Sequence, residues 1–269
     1  MIIDFHTHIF PEKIAARTVT ALAEKGGYPP HSSGDESGLI SALGAAGADI
    51  AVNLPVLTKP EQFSSVTEFA TKINEKLNTP PYILSFSGIH PDDAEYEEHL
   101  ETLTRLGIKG IKLHPDYQGR YINDERYVRI LKRARDLGLI TVTHAGYDGA
   151  FRGSEFKCTP RRIYDLLDKL DGYPRLVVAH MGSNEMYDES LEVLAGEDVY
   201  FDTAHVLSGI GRDTFTALMN KHGEDKILFA TDSPWRDISS DLQVIRSFGL
   251  GESATAKILG ENAVKLLGL

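Results

Sequence analysis

Apolar residues occur along this chain in short runs that alternate with longer stretches of helical periodicity. The short runs are rich in β-branched residues and predict strands, whereas the longer stretches carry apolar residues every three or four positions and predict helices. Strands are predicted at eight places: Ile2–Phe5, Asp49–Leu54, Tyr82–Ser87, Gly110–Leu113, Ile140–Thr143, Leu176–Ala179, Val199–Phe201 and Ile227–Ala230. The clearest predicted helices between them are Lys59–Leu77, Asp92–Leu106, Asp124–Leu137, Thr159–Leu170 and Glu185–Leu194.

The order of these elements predicts an α/β fold. Asn123 or Asp124 is placed to cap one helix, and Thr159-Pro160 begins another. The predicted strands are nearly all apolar, as in a parallel sheet that is covered on both faces. Eight strand–helix units in 269 residues predict a single (β/α)8 TIM barrel domain over residues 1–269. A doubly wound open sheet is the alternative, but no Gly-rich phosphate loop follows the first strand.

Polar residues cluster where the predicted strands end. They are His6 and His8 after the first strand, His90 after the third, Lys112 and His114 at the fourth, His144 after the fifth, His180 after the sixth, Asp202 after the seventh and Asp232 after the eighth. In a parallel barrel the carboxyl ends of all strands lie on one face, where active sites are built. These residues are therefore expected to share one pocket.

The residue types in this pocket predict a metal centre. His6 and His8 are two residues apart on an extended strand, so both imidazoles can point toward one ion. His144 and His180 each end an apolar strand and are followed, after one intervening residue, by glycine. Asp232 ends another apolar strand, where a carboxylate needs a cationic partner, although it could instead cap the next turn.

Other polar residues near the strand ends have less specific interpretations. Lys112 and His114 share one strand face, and a buried lysine must be paired, neutralised or modified. His114 and Trp235 are candidate substrate contacts, and His114 could equally have a structural role. Asp202 is expected to orient a ligand or cap a loop, and His90 to be structural. Arg236 could form part of a substrate wall, and Arg152 and Lys157 could meet an anionic group. His31, His99, His205 and His222 are predicted to be solvent or loop residues.

Composition and charge indicate where the protein is located and exclude some classes of binding partner. A formal net charge of −11 disfavours nucleic acid and anionic membranes as partners, because both are polyanions. The single cysteine, Cys158, cannot form an intramolecular disulfide, and the N-terminus lacks the pattern of a cleaved signal peptide. A cytoplasmic protein that acts on a small molecule is therefore expected, and a homodimer is left open.

In this combination the strand-end residues resemble the amidohydrolase superfamily of metal-dependent hydrolases. The order is His-x-His, His, His and Asp on the first, fifth, sixth and eighth strands, and the match runs from His6 to the closing residues. The chain is most similar to the compact amidohydrolase 2 branch, which includes aminocarboxymuconate-semialdehyde decarboxylase-like proteins. A TatD-like deoxyribonuclease is a weaker match, since that group has a glutamate near the position of Lys112.

The resemblance implies a ligand set and roles. His6, His8, His144 and Asp232 would bind a divalent metal, most commonly Zn²⁺ with Mn²⁺ or Fe²⁺ as alternatives, and His180 would bind a second ion or polarise the substrate. Lys112 lies in a stretch similar to that of dihydroorotases, whose lysine is carboxylated and bridges two metals, so one or two ions are expected. Such a centre acidifies water, and Asp232 would accept the proton. The expected reaction is hydrolysis of an amide, cyclic amide or lactone, and the alternative is a non-oxidative decarboxylase or hydratase.

Overall fold

The strands of the protein run parallel and carry the predicted polar residues at their carboxyl ends. The computed structural model describes residues 1–77 and 79–269. Its strands are β1 (Ile3–Thr7), β2 (Ile50–Asn53), β3 (Tyr82–Ser85), β4 (Ser87–Gly88), β5 (Gly110–Leu113), β6 (Ile140–Thr143), β7 (Leu176–Val178), β8 (Tyr200–Asp202) and β9 (Ile227–Leu228). They pair in parallel in the orders β1-β2-β3 and β4-β5-β6-β7-β8-β9.

Helices connect successive strands. They are α1 (Glu12–Gly26), α2 (Glu36–Ala46), α3 (Phe63–Asn74), α4 (Tyr96–Arg105), α5 (Pro115–Gln118), α6 (Glu125–Asp136), α7 (Pro160–Leu170), α8 (Tyr187–Val193), α9 (Arg212–His222), α10 (Ile238–Ser247), α11 (Glu252–Ala256) and α12 (Asn262–Leu267). The predicted caps are confirmed, since the side chains of Asp124 and Thr159 accept hydrogen bonds from the first turns of α6 and α7. No helix among the described residues is long and apolar enough to cross a bilayer.

The predicted strand Tyr82–Ser87 is interrupted at Phe86, which separates β3 from β4. The side chain of Asn74, at the end of α3, explains the interruption. Its Oδ1 accepts from the backbone N of Ser85 at 2.7 Å, and its Nδ2 donates to the Ser85 carbonyl at 2.9 Å. The Asn74 amide thus pairs with both the N–H and the C=O of Ser85. These two backbone groups are therefore not available for hydrogen bonds to a neighbouring strand. The backbone N of Phe86 still donates to Asn53 O at 2.9 Å, so the chain stays beside β2.

Backbone hydrogen bonds also join the last strand to the first. Phe5 N donates to Phe229 O at 2.9 Å, and Asp232 N donates to His6 O at 2.8 Å. With β3 leading directly into β4, these bonds complete the circle of strands. The (β/α)8 barrel predicted from the sequence is confirmed.

Two buried apolar clusters fill the barrel and the layer around it. One cluster lies inside the strands and includes Ile3, Val142 and Leu228, and the other packs strands against helices and includes Leu43 and Phe201. Successive strand residues face opposite sides. On β8, Tyr200 belongs to the inner cluster, so Asp202, two residues later, faces the barrel axis. The same alternation therefore builds the apolar core and then presents polar groups above it.

Gly110 begins β5 where there is no room for a side chain. A Cβ at Gly110 would lie 2.5 Å from the carbonyl oxygen of Ile140 and 2.5 Å from the ring of Phe86. We expect Gly110→Ala to lower the free energy of unfolding by about 1–3 kcal/mol through overpacking. Urea denaturation measures this change.

Gly44, in helix α2, provides the matched control. Nothing lies within 4 Å of a Cβ built at Gly44. Gly44→Ala should raise stability by about 0.5–1 kcal/mol, because alanine loses less backbone entropy in a helix. Equal effects of the two substitutions would contradict the packing that the structure gives β5.

Candidate metal centre and active site

A cavity of about 590 Å³ opens at the carboxyl ends of the strands. This is within the usual size range of small-molecule sites. All eight of the predicted site residues line it: His6, His8, Lys112, His114, His144, His180, Asp232 and Trp235. His90 does not line it; its Nδ1 accepts from the backbone N of Asp92 at 3.1 Å, as suits the structural role expected for it.

Three of the predicted ligands form one compact donor group. His6, His8 and Asp232 each offer a donor atom, and these atoms lie within 4.8 Å of one another. Asp232 Oδ1 is 3.0 Å from His8 Nε2 and 3.5 Å from His6 Nε2. Burial raises the pKa of Asp232, but His8 and His6 outweigh it and hold the pKa well below its ordinary value. The carboxylate is therefore ionised at neutral pH.

Asp202 determines which nitrogen of His6 is free. Its Oδ2 accepts from His6 Nδ1 at 2.9 Å, and its Oδ1 accepts from the backbone N atoms of His180 and Ala204 at 2.8 and 3.1 Å. Burial lowers the pKa of His6 to about 3, so the ring is neutral at pH 7. Because Nδ1 carries the proton, Nε2 presents a lone pair to the cavity. This carboxylate–histidine arrangement is typical of the residues that orient metal ligands.

Lys112 lies on the floor of the cavity beside His6. Its Nζ is 2.9 Å from His6 Nε2, and its side chain is almost fully buried. Because that nitrogen is unprotonated, Lys112 donates to it. Burial lowers the pKa of Lys112 to about 8. A metal ion bound to His6 Nε2 would take the lone pair that Lys112 now uses.

His144 and His180 form a second arrangement of fixed tautomers. His180 Nδ1 donates to the Ala204 carbonyl at 2.9 Å, which leaves its Nε2 unprotonated in the neutral ring. His144 Nδ1 lies 3.0 Å from that Nε2 and therefore donates to it. Burial lowers the pKa of both rings, which keeps them neutral. His144 Nε2 is left as a buried lone pair that has no hydrogen-bond partner among the described residues.

His144 belongs to a different donor group from the other predicted ligands. Its donor atom lies within 4.8 Å of donor atoms of His114 and Asp148. The His114 ring stacks on the His144 ring with centroids 4.1 Å apart, and His114 Nε2 is 3.4 Å from Asp148 Oδ2. The sequence interpretation missed Asp148, which lies in the loop four residues after His144. The sequence shows only that Asp148 lies in a loop near a strand end. Its place in the site could not be predicted, because the shape of a loop does not follow from its composition.

The donor set fits a divalent metal ion. Two imidazole nitrogens and one ionised carboxylate converge in the first group, and this combination suits Zn²⁺, Mn²⁺ or Fe²⁺. The unpartnered Nε2 of His144 gives independent support, since a buried polar atom normally has a partner. The residues present therefore fit the metal that the strand-end pattern predicts.

His205 corrects one interpretation of the sequence. It was expected to be a solvent or loop residue, but it lines the cavity, and its Nδ1 lies 3.7 Å from Asp232 Oδ2. The ring of Tyr28 meets it edge to face at 4.4 Å. The signal was present, because His205 follows Asp202 by three residues at the end of a strand. His222 is also a correction, since it is buried and stacks on Phe201 at 3.8 Å.

Three charged residues that were considered as substrate contacts do not line the cavity. Arg236 pairs with the buried Asp241, with Nη2 and Oδ1 2.6 Å apart. Arg152 Nε donates to the hydroxyl of Tyr147 at 2.9 Å. Lys157 lies over the ring of Tyr121, 5.0 Å from its centroid. Arg152, Lys157 and Arg236 are therefore not among the side chains that line this cavity.

The Asp202–His6 hydrogen bond is expected to control metal affinity. Asp202→Asn keeps the shape of the side chain but removes the ionised acceptor that fixes the His6 tautomer. We expect metal affinity to fall about 10- to 100-fold. Titration against a competing chelator measures the affinity, and Asp198→Asn, at an exposed carboxylate, is the matched control. An unchanged affinity in Asp202→Asn would contradict the orienting role.

Comparisons with known proteins agree with this architecture. The amidohydrolase 2 family model, described as amidohydrolase, matches residues 3–269. No curated protein matches the chain. Among solved structures, a 5-carboxyvanillate decarboxylase from Sphingomonas paucimobilis is similar at 16% identity, with 100% of this chain and 99% of that chain covered and a TM-score of 0.72.

Two further solved structures are similar to the same extent. A 5-carboxyvanillate decarboxylase from Novosphingobium aromaticivorans, complexed with manganese and a nitrobenzoic acid, has 16% identity, coverage of 100% and 96%, and a TM-score of 0.71. A probable 2-pyrone-4,6-dicarboxylic acid hydrolase from Acinetobacter baumannii has 16% identity, coverage of 100% and 99%, and a TM-score of 0.67. At this identity the likeness shows the fold. The family match over nearly the whole chain confirms the resemblance found in the strand-end residues, and the chain belongs to the amidohydrolase 2 family of the amidohydrolase superfamily.

Proposed function

We propose that this protein is a metal-dependent hydrolase that breaks an amide, cyclic amide or lactone bond in a small molecule. The ionised carboxylate of Asp232 carries the proposal. It lies 3.0 Å from His8 Nε2, inside a cavity large enough for a small substrate. A carboxylate beside neutral metal-binding imidazoles is suited to remove a proton from water.

The metal is proposed to be Zn²⁺, held by His6, His8 and Asp232. His144, whose donor atom lies in the second group with His114 and Asp148, is proposed as a further ligand. Imidazole and carboxylate ligands support this choice, and the manganese complex of the Novosphingobium structure keeps Mn²⁺ as the alternative. Such an ion polarises a carbonyl and lowers the pKa of water when it is bound. A second ion, and carboxylation of Lys112 to hold it, stay an alternative prediction in which Lys112 would no longer be a cation.

The remaining steps belong to the chain's own residues. Asp232 accepts a proton from the attacking water and delivers it to the nitrogen or oxygen atom that leaves. His180 Nε2 is an acceptor in the neutral ring, because Nδ1 donates to Ala204 O. Because Nε2 carries no proton in this tautomer, it is suited to bind a metal ion and cannot donate a hydrogen bond to the substrate. His114 and Trp235 are proposed to contact the bound molecule.

A non-oxidative decarboxylase is the second candidate. The buried amine of Lys112 at the cavity floor favours it, because a cation there can hold the carboxylate of a substrate. Two of the structural relatives described above carry the name decarboxylase, and one carries the name hydrolase. The cytoplasmic location and the homodimer also stay predictions.

The products distinguish the two reactions. The metal-loaded protein is incubated in H₂¹⁸O with panels of lactones, amides and aromatic carboxylates. We expect one ¹⁸O atom in the product and no CO₂, because water is consumed in hydrolysis. Mass spectrometry measures the label. Stoichiometric CO₂ without ¹⁸O uptake would establish the decarboxylase instead.

Asp232 is expected to be essential in the hydrolytic reaction. Asp232→Asn keeps an oxygen toward the metal but cannot accept a proton, so we expect kcat to fall by a factor of about 10² to 10⁴. Steady-state kinetics measure kcat, and plasma mass spectrometry confirms that metal is still bound. Asp213→Asn, at an exposed helix position, is the matched control. Near-normal turnover of metal-loaded Asp232→Asn would contradict the proton-accepting role.

A further inference from the structure

The cavity wall above the donor groups is largely apolar. One part comes from a single face of α1, where Ile14, Thr18 and Leu22 recur every four residues. Another part comes from α3, where Val66 and Phe69 face the cavity. The segments that follow the strands add further apolar and aromatic side chains: Phe10, Pro55, Val56, Tyr117, Tyr147 and Trp235. A substrate body in this space would contact mainly carbon atoms.

Lysine and arginine side chains are confined to one place on the described part of this wall. Among the described residues that line the cavity, Lys112 is the sole lysine or arginine, and it lies on the floor next to His6. The two carboxylates on the wall are Asp148 and Asp232. An anionic group can therefore be bound at the floor, by the metal and Lys112. Higher in the cavity it would meet a mainly apolar wall that carries uncharged polar side chains such as Thr58, Gln62 and Asn184, and the carboxylate of Asp148, but no further lysine or arginine among the residues described.

Three cations that contact or adjoin lining residues are held by other groups. Arg236 is held by the buried carboxylate of Asp241. Lys25 lies over the rings of Tyr117 and Phe151, with its Nζ 4.5 and 4.4 Å from their centroids. Arg152 is bound to the Tyr147 hydroxyl. None of these three residues lines the cavity.

We propose that the substrate carries a single anionic or carbonyl group, which faces the metal ligands and Lys112, and that the rest of it is an apolar, uncharged ring body. A second ionised group against the apolar part of the wall would lose hydration without gaining a lysine or arginine partner from the described part of the chain. The cavity therefore selects against dicarboxylates. The inference rests on the proposed function, because that function places the reacting group at His6, His8 and Asp232.

Two benzoates of similar size test the inference by binding alone. One is 4-isopropylbenzoate, and the other is terephthalate, in which a second carboxylate replaces the isopropyl group. Trp235 is the single tryptophan and lines the cavity, so its emission reports occupancy, and calorimetry of the Zn²⁺-loaded protein gives the affinity independently. We expect 4-isopropylbenzoate to bind at least 10-fold more tightly. Equal or tighter binding of terephthalate overturns the inference, as does the failure of both to bind at millimolar concentration.

Adjacent serines on α3 provide a matched pair of variants. Ser65 lines the cavity yet is solvent-exposed, so Ser65→Arg adds a cation to the wall without disturbing the core. Ser64 is exposed and outside the lining, so Ser64→Arg adds the same charge elsewhere. We expect Ser65→Arg to reduce the preference for 4-isopropylbenzoate at least 5-fold, and Ser64→Arg to leave it unchanged. Equal shifts in the two variants would assign the effect to overall charge and overturn the inference.

The two proposals fail in different ways. Selective binding of 4-isopropylbenzoate without any hydrolytic turnover supports the cavity's selectivity and removes the proposed reaction. Hydrolysis with ¹⁸O uptake that is fastest on dicarboxylates supports the reaction and overturns the selectivity. Binding and turnover are thus measured on the same metal-loaded protein and answer separate questions.

Discussion

The hydrogen bonds between the first strand and the segment after the last one bring the site together. Phe5 N to Phe229 O, Asp232 N to His6 O and His8 N to Ser233 O join the two ends of the chain along one line. The same line carries His6 and His8 on one side and Asp232 on the other. Asp232 adopts a positive φ of 71°, which a non-glycine residue seldom adopts unless its surroundings hold it there. Barrel closure and assembly of the donor group are therefore one event.

Two fixed acceptors decide which nitrogens face the cavity. The Asp202 carboxylate takes the Nδ1 proton of His6, and the carbonyl of Ala204 takes the Nδ1 proton of His180. Asp202 and Ala204 are two residues apart, and the Ala204 backbone N donates back to Asp202 Oδ1. One short segment at the end of β8 therefore sets the protonation of rings on two other strands. Its polar atoms act on the site although neither Asp202 nor Ala204 lines the cavity.

The sequence was informative where periodicity and strand order control the structure. A strand end in a parallel barrel has a known place, so His6, His144 and Asp232 could be assigned to one face although they lie far apart in the chain. The break at Phe86 could not be predicted, because it depends on the Asn74 side chain reaching the backbone of Ser85. His205 and Asp148 were missed for a related reason. Their positions depend on the paths of loops, which a single sequence describes by composition alone.

The overall negative charge of the protein makes the positive charge of Lys112 at the cavity floor important for the binding of an anion. A net charge of −11 repels an approaching anion, and this repulsion grows with each negative charge that the molecule carries. A monoanion would recover that cost at the floor, beside Lys112 and the residues that would hold a divalent ion, His6 and Asp232. A dianion is repelled more strongly at long range, and its second charge finds no cation on the described wall of the cavity. Long-range repulsion and local desolvation therefore act in the same direction, and both favour a substrate whose charge is confined to the end that reacts.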